Sequence, residues 1–579
     1  MQSYTPFDLF RYQSPGVRQM GAGVAYFSTD GVTMGTLFND PGTGGDGGDW
    51  DRSVNSDAFG AGHLGLAQRI SATDIAVMQA LGYTTSARAT IPGPGIGLFA
   101  NFAPSGGVAQ TVTADTSADA ALVRALLPSL PASGVLQITN GGAYAIGTGN
   151  TALVDSASAQ VTVFGGSSAG QIVVAGNGGL AFNAGSGQGT VLAAGGNNLI
   201  SVLEGAGTQH ITTGDGDDTI SALAGANTII AGAGRNLILA QGGNNLISSR
   251  GDDLISTPNG NPTISAGTNA PMIYLGSGAA EFNGGAGNAT VVVGIGTATL
   301  TSAGSGQFWM QAGGGVVNSS FADTIIGGAG ATTVNAGAAN DFVFAGPGRL
   351  GFFGGSGVST ILGSTSGSAS ITGGSGSVID IAYGSTTFVG GAGAATVAAF
   401  GGSVTISGGT GTGVYQGGPN GANRMTAGSG RATLIGGGDG DILTAGSGGG
   451  TVLQAGMGAE TLTASGSTGS NKFYGGSGAN WMVLGDGGDQ VLAGTGSETI
   501  IGGGGQDLFA FAIGQHPAVV IQNFTKGTDY VSFLGFATGE AGRALASATT
   551  VAGSERLTLS DGTQIQFLGV TNLTLANFL

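Results

Sequence analysis

Gly502-Gly503-Gly504-Gly505-Gln506-Asp507-Leu508-Phe509-Ala510 fits a nine-residue pattern, G-G-x-G-x-D-x-U-x, in which U is a large apolar residue. Counting back nine from Phe509 reaches Ile500, then Val491, then Met482. The same beat recurs upstream at Ile220, Ile229, Ile238 and Ile247. One such turn carries little weight. A register kept over hundreds of residues decides the architecture.

Working outward, the beat starts near residue 135. Its U positions include Val154, Val163, Ile172, Phe182, Val191 and Ile200, and later Val291, Leu300, Trp309, Val317 and Ile325. It runs on to Ile371, slips near Asp380, and resumes at Phe388, Val397 and Ile406, then at Leu443, Val452 and Leu462. A helix cannot hold this beat, because nine residues make two and a half helical turns and throw successive U residues to opposite sides. Glycine at this density also opposes helix. The pattern predicts a short strand and a glycine turn, repeated, with U pointing inward and its neighbours outward. Two nine-residue halves make one 18-residue coil. Stacked coils give a long parallel β-solenoid, or β-roll, of two sheets around a thin core. No coil buries its apolar face alone, so the array depends on stacking. The fold class is mainly β, with a small α/loop segment before the array and a β unit capping its C-terminal end.

Composition narrows the function. The chain has 579 residues, of which 121 are glycine. Disorder is a poor fit, since 41% of residues are hydrophobic and regularly spaced. The formal charge of −17 argues against a nucleic-acid partner. The absence of cysteine excludes disulfides and thiolate zinc sites. No uninterrupted apolar run is long enough to span a membrane, and Met1 to Phe10 do not read as a secretory signal peptide.

Four regions are expected. Residues 1–84 are rich in aromatics and acids, with a short helix from Ser71 to Gly82. Residues 85–134 form a linker and then a helix from Asp115 to Leu127 that ends at Pro128 and is placed to cover the first rung. The roll occupies 135–510. Residues 511–579 form the cap, with strands around Thr525–Asp529 and a hairpin at Asp561-Gly562.

The array resembles the RTX nonapeptide β-roll of calcium-binding bacterial exoproteins. That resemblance implies Ca2+ bound in the turns, between backbone carbonyls and sixth-position carboxylates, a set of oxygens suited to a hard cation. Turns on one side of a roll lie 18 residues apart, so good sites want acids at that spacing. Asp489 and Asp507 meet the test, with Asp486 nearby and the backbone of Gly485, Gly487, Gly502, Gly503 and Gly505. Asp323 and Asp341 also meet it, as do Asn423 and Asp441, with Asp439 beside Asp441. Asp215 and Asp218, with the backbone of Gly214 and Gly216, form the best upstream turn, and its partner at +18 is Asn236. The sixth position is Asn at 198, 227, 236, 245 and 480, Gln at 209, Glu at 498 and Ala at 280, 289 and 298. Loss of the carboxylate weakens calcium binding. The expectation is a mixed array, with a few calcium sites concentrated toward the C-terminal end and Asn or Ser/Thr hydrogen bonds elsewhere.

The last 70 residues resemble the C-terminal region of type I secreted RTX proteins, which implies type I secretion machinery as a partner and an extracellular or cell-surface location. Tyr4–Tyr12, Pro15–Arg18, Gly45–Trp50 and Ser71–Tyr83 resemble the tail of a bacterial secreted zinc-metalloprotease-like domain. His63, His210 and His516 have no partner at i+4, so the zinc motif H-E-x-x-H is missing and no catalytic residue is expected. Arg250-Gly251-Asp252 is read as a chance tripeptide within a turn. The leading reading is a secreted calcium-binding structural or adhesive protein that folds on calcium outside the cell, with cell surface, matrix or self-association as partners. Two alternatives stay open: a fragment of a secreted zinc metalloprotease, and a solenoid that needs no metal.

Overall fold

The computed structural model describes residues 11–15, 17–18, 26–27, 135–146, 152–203, 207–515 and 517–579. The expected helices at Ser71–Gly82 and Asp115–Leu127, the linker, His63 and His516 lie outside them. Near the N-terminus, Arg11–Ser14 pairs antiparallel with Val17–Arg18 and with Tyr26–Phe27.

From Val135 the chain winds into a parallel β-solenoid of about 21 turns. Each coil contributes one strand to each of two sheets. In the first sheet, Thr228–Ile230 stacks on Leu246–Ser249, with Ile229 opposite Ile247. In the second, Thr219–Ala222 stacks on Leu237–Ala240, with Ile220 opposite Ile238. The sheets are open ladders, since each strand pairs with the strands one coil before and one coil after. The in-facing residues of both ladders are fully buried and form one continuous core.

The glycine corners make this stacking possible. A Cβ on Gly503 would run into the carbonyl oxygen of Gly485, one coil earlier. Gly505 sits at φ +79°, a left-handed conformation that a side chain disfavours.

The structure corrects the register at several places. Phe308, not Trp309, fills the core between Val291 and Ile325. Phe308 is 0% exposed and Trp309 44%. The half-coil from Leu300 to Phe308 is one residue short of nine, and a one-residue shift sends every strand side chain to the opposite face. Likewise Leu453 takes the core position expected of Val452. Leu153 and Val173 form the early seam in place of Val154 and Ile172. The expected slip at Asp380 is a substitution instead. Asp380 occupies the in-facing position between Ile361 and Val397 and is 0% exposed. Neither of its carboxylate oxygens has a hydrogen-bond partner.

The stack continues past residue 510. Ala518–Gln522 lies parallel on Glu498–Ile501, and Tyr530–Leu534 on Leu508–Ala512. The helix Glu540–Ala546, which the sequence pattern did not reveal, precedes the hairpin Ser554–Thr558/Gln564–Phe567. That hairpin's second strand forms the last rung of the first sheet. Phe509, Phe524 and Phe567 pack ring to ring beneath it. The terminal Leu579 N–H donates to the Val531 carbonyl at 2.9 Å on the second sheet's last strand. The second ladder therefore ends against covering chain, while the first is extended antiparallel by Ser554–Thr558 and the exposed strand Thr549–Val551. Among the described residues no helix is long and apolar enough to cross a membrane.

Two expected outcomes test this core. Phe308→Ala lowers stability by about 3–5 kcal/mol, whereas Trp309→Ala costs less than about 1 kcal/mol. Denaturant melts of the two variants check the swap. Burial pushes the Asp380 carboxyl up from its ordinary value to about 7. The folded chain then holds this proton more tightly than the unfolded chain. The stability associated with it is present below the unfolded value and is lost as pH rises to about 7, a change on the order of 4 kcal/mol. Asp380→Leu therefore raises the melting temperature over wild type more at pH 8 than at pH 5. An equal gain at both pH values contradicts the assignment.

Candidate calcium-binding ladder

Most carboxylates and carboxamides two residues before an in-facing residue perform the same task. The side-chain oxygen turns back along the stack and accepts the backbone N–H of the equivalent residue one coil earlier. The side chains of Gln209, Glu460 and Glu498 do not, and Glu460 and Glu498 bond only within their own turns. On the second sheet's side, Leu180 N–H donates to Asn198 Oδ1 at 2.9 Å. Asn198 N–H donates to Asp218 Oδ1 at 2.8 Å, Asp218 N–H to Asn236 Oδ1 at 2.9 Å, and Asn236 N–H to Asp253 Oδ1 at 2.9 Å. The ladder returns at Asp323 N–H to Asp341 Oδ1, 3.1 Å. At the C-terminal end Asn471 N–H meets Asp489 at 2.6 Å, Asp489 N–H meets Asp507 at 2.9 Å, and Asp507 N–H meets Asp529 at 3.1 Å. On the first sheet's side the same bond joins Gln209 to Asn227, Asn227 to Asn245, Asn423 to Asp441 and Glu460 to Asn480.

The second carboxylate oxygen holds its own turn. Gly437, Gly485 and Gly503 N–H donate to Asp441, Asp489 and Asp507 at 2.7, 2.8 and 3.1 Å. Thr525 N–H does the same for Asp529 at 2.7 Å. Each loop is thus pinned to itself and to its neighbour by one side chain.

All three pairs expected at a spacing of 18 meet across adjacent coils, as do Asp218 and Asn236. Asp218, Asp323, Asp341, Asp441, Asp489 and Asp507 are buried, whereas Asp215, Asp439 and Asp486 are exposed at the corners. Asp439 Oδ1 accepts Ala459 N–H at 2.8 Å in an outer ladder. Asp217 and Asp252 make the same kind of bond to Arg235 and Ala270. The neutral rungs also hydrogen-bond as the Asn pattern suggested. Asn198 and Asn236 each add an Nδ2 bond to the next aspartate, at 2.8 and 2.7 Å.

Three ladder acids escaped the sequence reading. Asp253 lies two residues before Ile255 and directly follows the tripeptide Arg250-Gly251-Asp252. Asp529 lies two before Val531, beyond the point where the register was taken to end. Glu460 lies two before Leu462. Counting back two from each in-facing residue finds all three.

The rungs differ in charge. Amides alternate with acids in the series Asn198, Asp218, Asn236, Asp253, so each carboxylate faces an amide donor. Asp489, Asp507 and Asp529 instead stack as three consecutive carboxylates. Burial, followed by the neighbouring Asp529 and Asp489 charges, pushes Asp507 up to about 7. Burial, followed by the charges of Asp441 and Asp439, pushes Glu460 up to about 8. Burial raises Glu498 to about 7. None of these acids forms an ion pair among the described residues. Buried carboxylate oxygens without a hydrogen-bond partner remain in the ladder at Asp218, Asp341, Glu460 and Glu498. A buried, uncompensated set of oxygens fits a hard divalent cation. No cluster of three or more acidic or imidazole side chains among the described residues has the spacing to hold a metal alone. Backbone carbonyls of the turns would have to complete the ligand set.

The family model for the RTX calcium-binding nonapeptide repeat matches residues 205–238, 212–247, 318–349, 418–452 and 463–491. The chain carries RTX calcium-binding nonapeptide repeats. The matched stretches contain Asp215, Asp218, Asp323, Asp341, Asp439, Asp441, Asp486 and Asp489, while Asp253, Asp507 and Asp529 lie beyond them. No curated protein matches the chain.

The amide rungs give a direct test of charge. Asn236→Ala strands the Asp218 N–H and costs about 1–3 kcal/mol. Asn236→Asp keeps the shape but places three carboxylates in a row. It is expected to destabilise the calcium-free protein and to regain stability when calcium is added. Denaturant melts with and without calcium read both, and indifference of Asn236→Asp to calcium contradicts the charge argument.

Proposed function

We propose that this protein is a secreted, calcium-loaded structural rod whose C-terminal coils are completed by calcium. The observation that carries this reading is the stack of Asp489, Asp507 and Asp529, three buried carboxylates in consecutive coils with no basic partner among the described residues. These side chains, with turn carbonyls around Gly485, Gly487, Gly503 and Gly505, would hold the ion. Bound calcium supplies the positive charge that lets adjacent carboxylates stay ionised while buried. Asp323 with Asp341, and Asp441 with Glu460, are the next sites in the same logic. The turn at Asp215 and Asp218 is weaker, because Asn198 and Asn236 already occupy its neighbouring rungs.

Binding and folding are linked in such a site. A cation that binds only the stacked form stabilises it by about 2.7 kcal/mol at a hundredfold excess over its dissociation constant. The chain would stay loose where free calcium is scarce and close its C-terminal coils where calcium is plentiful. That behaviour suits export by type I secretion machinery and assembly outside the cell. A folded rod with few charges in its middle suits a surface or matrix role.

Calorimetric titration of the full chain tests the reading. Calcium uptake is expected at or below millimolar concentrations, the range of extracellular calcium modules. Asp507→Asn should remove the C-terminal component while leaving the far-ultraviolet circular dichroism in calcium largely intact. No uptake at millimolar calcium, together with a melt unchanged by chelator, rejects calcium-coupled folding and leaves a solenoid held by its amide rungs.

A further inference from the structure

The corrected register turns Trp309 outward, and other rings share its column. On the second sheet one out-facing column runs Tyr274, Val292, Trp309, Ile326, Phe344, each directly opposite the next in the ladder. An aromatic ring thus recurs at every second rung. Tyr274 and Trp309 are 41% and 44% exposed, with Val292 buried between them. Phe344 is half-buried, and Phe342 packs edge-on against it at 4.7 Å. The neighbouring out-facing column is polar beside these rings: between Met272 and Phe342 it stacks Thr290, Gln307 and Thr324 in consecutive coils. None of these three side chains is engaged in a hydrogen bond among the described residues. The exposed aromatics of the first sheet lack this repeat. Phe353 lies between Asn335 and Thr372, and Trp481 between Thr461 and Thr499.

The coil sets the spacing. Successive strands lie ~4.8 Å apart, so rings at alternate rungs stand about 10 Å apart and the three together span about 20 Å. An extended chain of β-1,4-linked pyranose sugars repeats over the same distance, one disaccharide at a time. Its sugars present apolar C–H faces that lie on aromatic rings, and edge hydroxyls that need donors and acceptors alongside. The polar column supplies them two residues, or ~7 Å, from the rings. Charge narrows the choice of glycan. Between Leu254 and Val414 the charged residues are Glu281, Asp323, Asp341, Arg349 and Asp380. Glu281 and Arg349 lie on strands of the first sheet. Asp323 and Asp341 are buried in the turns, and Asp380 points inward. The strip therefore has no cation to pair with a carboxylate or sulfate, and a chain of net charge −17 repels a polyanion.

We propose that this strip binds a neutral β-1,4-glucan of the cellulose type. The glucan chain runs along the rod, across the strands, with sugar rings on Tyr274, Trp309 and Phe344 and hydroxyls bonded by Thr290, Gln307 and Thr324. A sheet surface offers a bulky acetamido group no recess, which favours the unsubstituted glucan over chitin. The strand ladders hold the rings at fixed intervals, so a stiff extended chain meets a preorganised partner at little ordering cost. An α-1,4-linked glucan has the same sugars but coils, and its rings leave the register. The inference adds a partner to the surface or matrix role and does not rest on calcium binding. Pro271, Ala289 and Gly306, at the corners before the strands of Tyr274, Val292 and Trp309, carry no carboxylate.

Depletion of the full chain from solution by microcrystalline cellulose, in calcium, tests it. Cellulose is expected to remove the chain, and starch granules are expected to leave it in solution. Trp309→Ala combined with Tyr274→Ala should weaken cellulose binding at least ~tenfold, whereas Trp481→Ala should leave it unchanged. Trp309→Phe keeps a ring and should keep most of the binding. Cellohexaose gives a second readout. It should shift the tryptophan fluorescence of the wild type and of Trp481→Phe, and should not shift that of Trp309→Phe. Failure of cellulose to deplete the chain overturns the proposal, as do stronger binding to chitin, equal binding to starch, and binding unaffected by the double substitution in a variant of normal circular dichroism. Sedimentation without glycan that the double substitution abolishes assigns the strip to a second copy of the chain and also overturns it. If the double variant misfolds, wild-type fluorescence unmoved by cellohexaose decides against the glucan.

Discussion

Everything in this protein hangs on one hydrogen bond repeated along the stack: a side-chain oxygen of one coil accepting the backbone N–H of the coil before it. In a solenoid the strands satisfy their own backbone groups through the parallel ladders. The corners are the problem, because their N–H groups turn inward where water does not reach. A sixth-position Asp or Asn meets that need from the next coil, and an Asp adds a bond within its own turn. The apolar core supplies the drive to stack, but it is non-directional and permits sliding. The corner bond fixes which coil sits on which, and by how many residues.

The same oxygen explains why the array mixes residue types. An amide rung satisfies one N–H and offers its own Nδ2 to the next rung, so Asn can stand beside Asp at no electrostatic cost. Two or three aspartates in succession satisfy the backbone equally well but bring uncompensated charge into a buried line. Asn236 and Asp507 therefore occupy equivalent positions with different consequences. Where amides alternate, each carboxylate faces an amide donor, although Asp218 keeps one buried oxygen without a partner. Where carboxylates accumulate, at Asp489, Asp507 and Asp529, the corner stacks like charges that the proposed calcium would compensate. Calcium dependence would then follow from sequence alternation more than from the number of acids.

Much of this was legible in the residues, and what was not has physical reasons. The nine-residue beat predicted the two-sheet coil, the inward U residues and the meeting of Asp323 with Asp341 and Asp489 with Asp507, because glycine corners and strand parity leave few other solutions. Core identity failed where a half-coil loses or gains one residue. Phe308 and Trp309 are adjacent large apolar residues, and composition cannot choose between them when the parity of the strand flips. Leu453 and Val452 pose the same ambiguity. Asp380 looked like a break in register because a lone carboxylate in a hydrophobic seam is costly. The backbone pairing on either side holds the chain in register despite it. Asp529 was missed for the opposite reason: Phe524 and Thr525 replace the motif's first two glycines, leaving Gly527 alone, but the hydrogen-bonding role is kept by Thr525 and Asp507.

Charge is also distributed with a consistent logic along the rod. The turns near both ends of the array are acidic, while the middle coils, Asp323 and Asp341 excepted, replace their sixth-position acids by residues such as Ala280, Ala289 and Ala298, Pro262 and Pro271, or Ser359. Pro lacks an N–H, so a corner with Pro262 or Pro271 has one fewer buried donor to satisfy and needs no acceptor above it. Ala corners give up the side-chain bond, and their strands compensate by running longer: Ala279–Asn283 and Thr297–Thr301 pair over five residues, where Thr228–Ile230 pairs over three. In these two coils of the first sheet a longer backbone ladder thus stands where the corner bond is missing, while the second-sheet strands of the same region, such as Thr290–Val293 and Thr324–Ile326, stay at three or four residues.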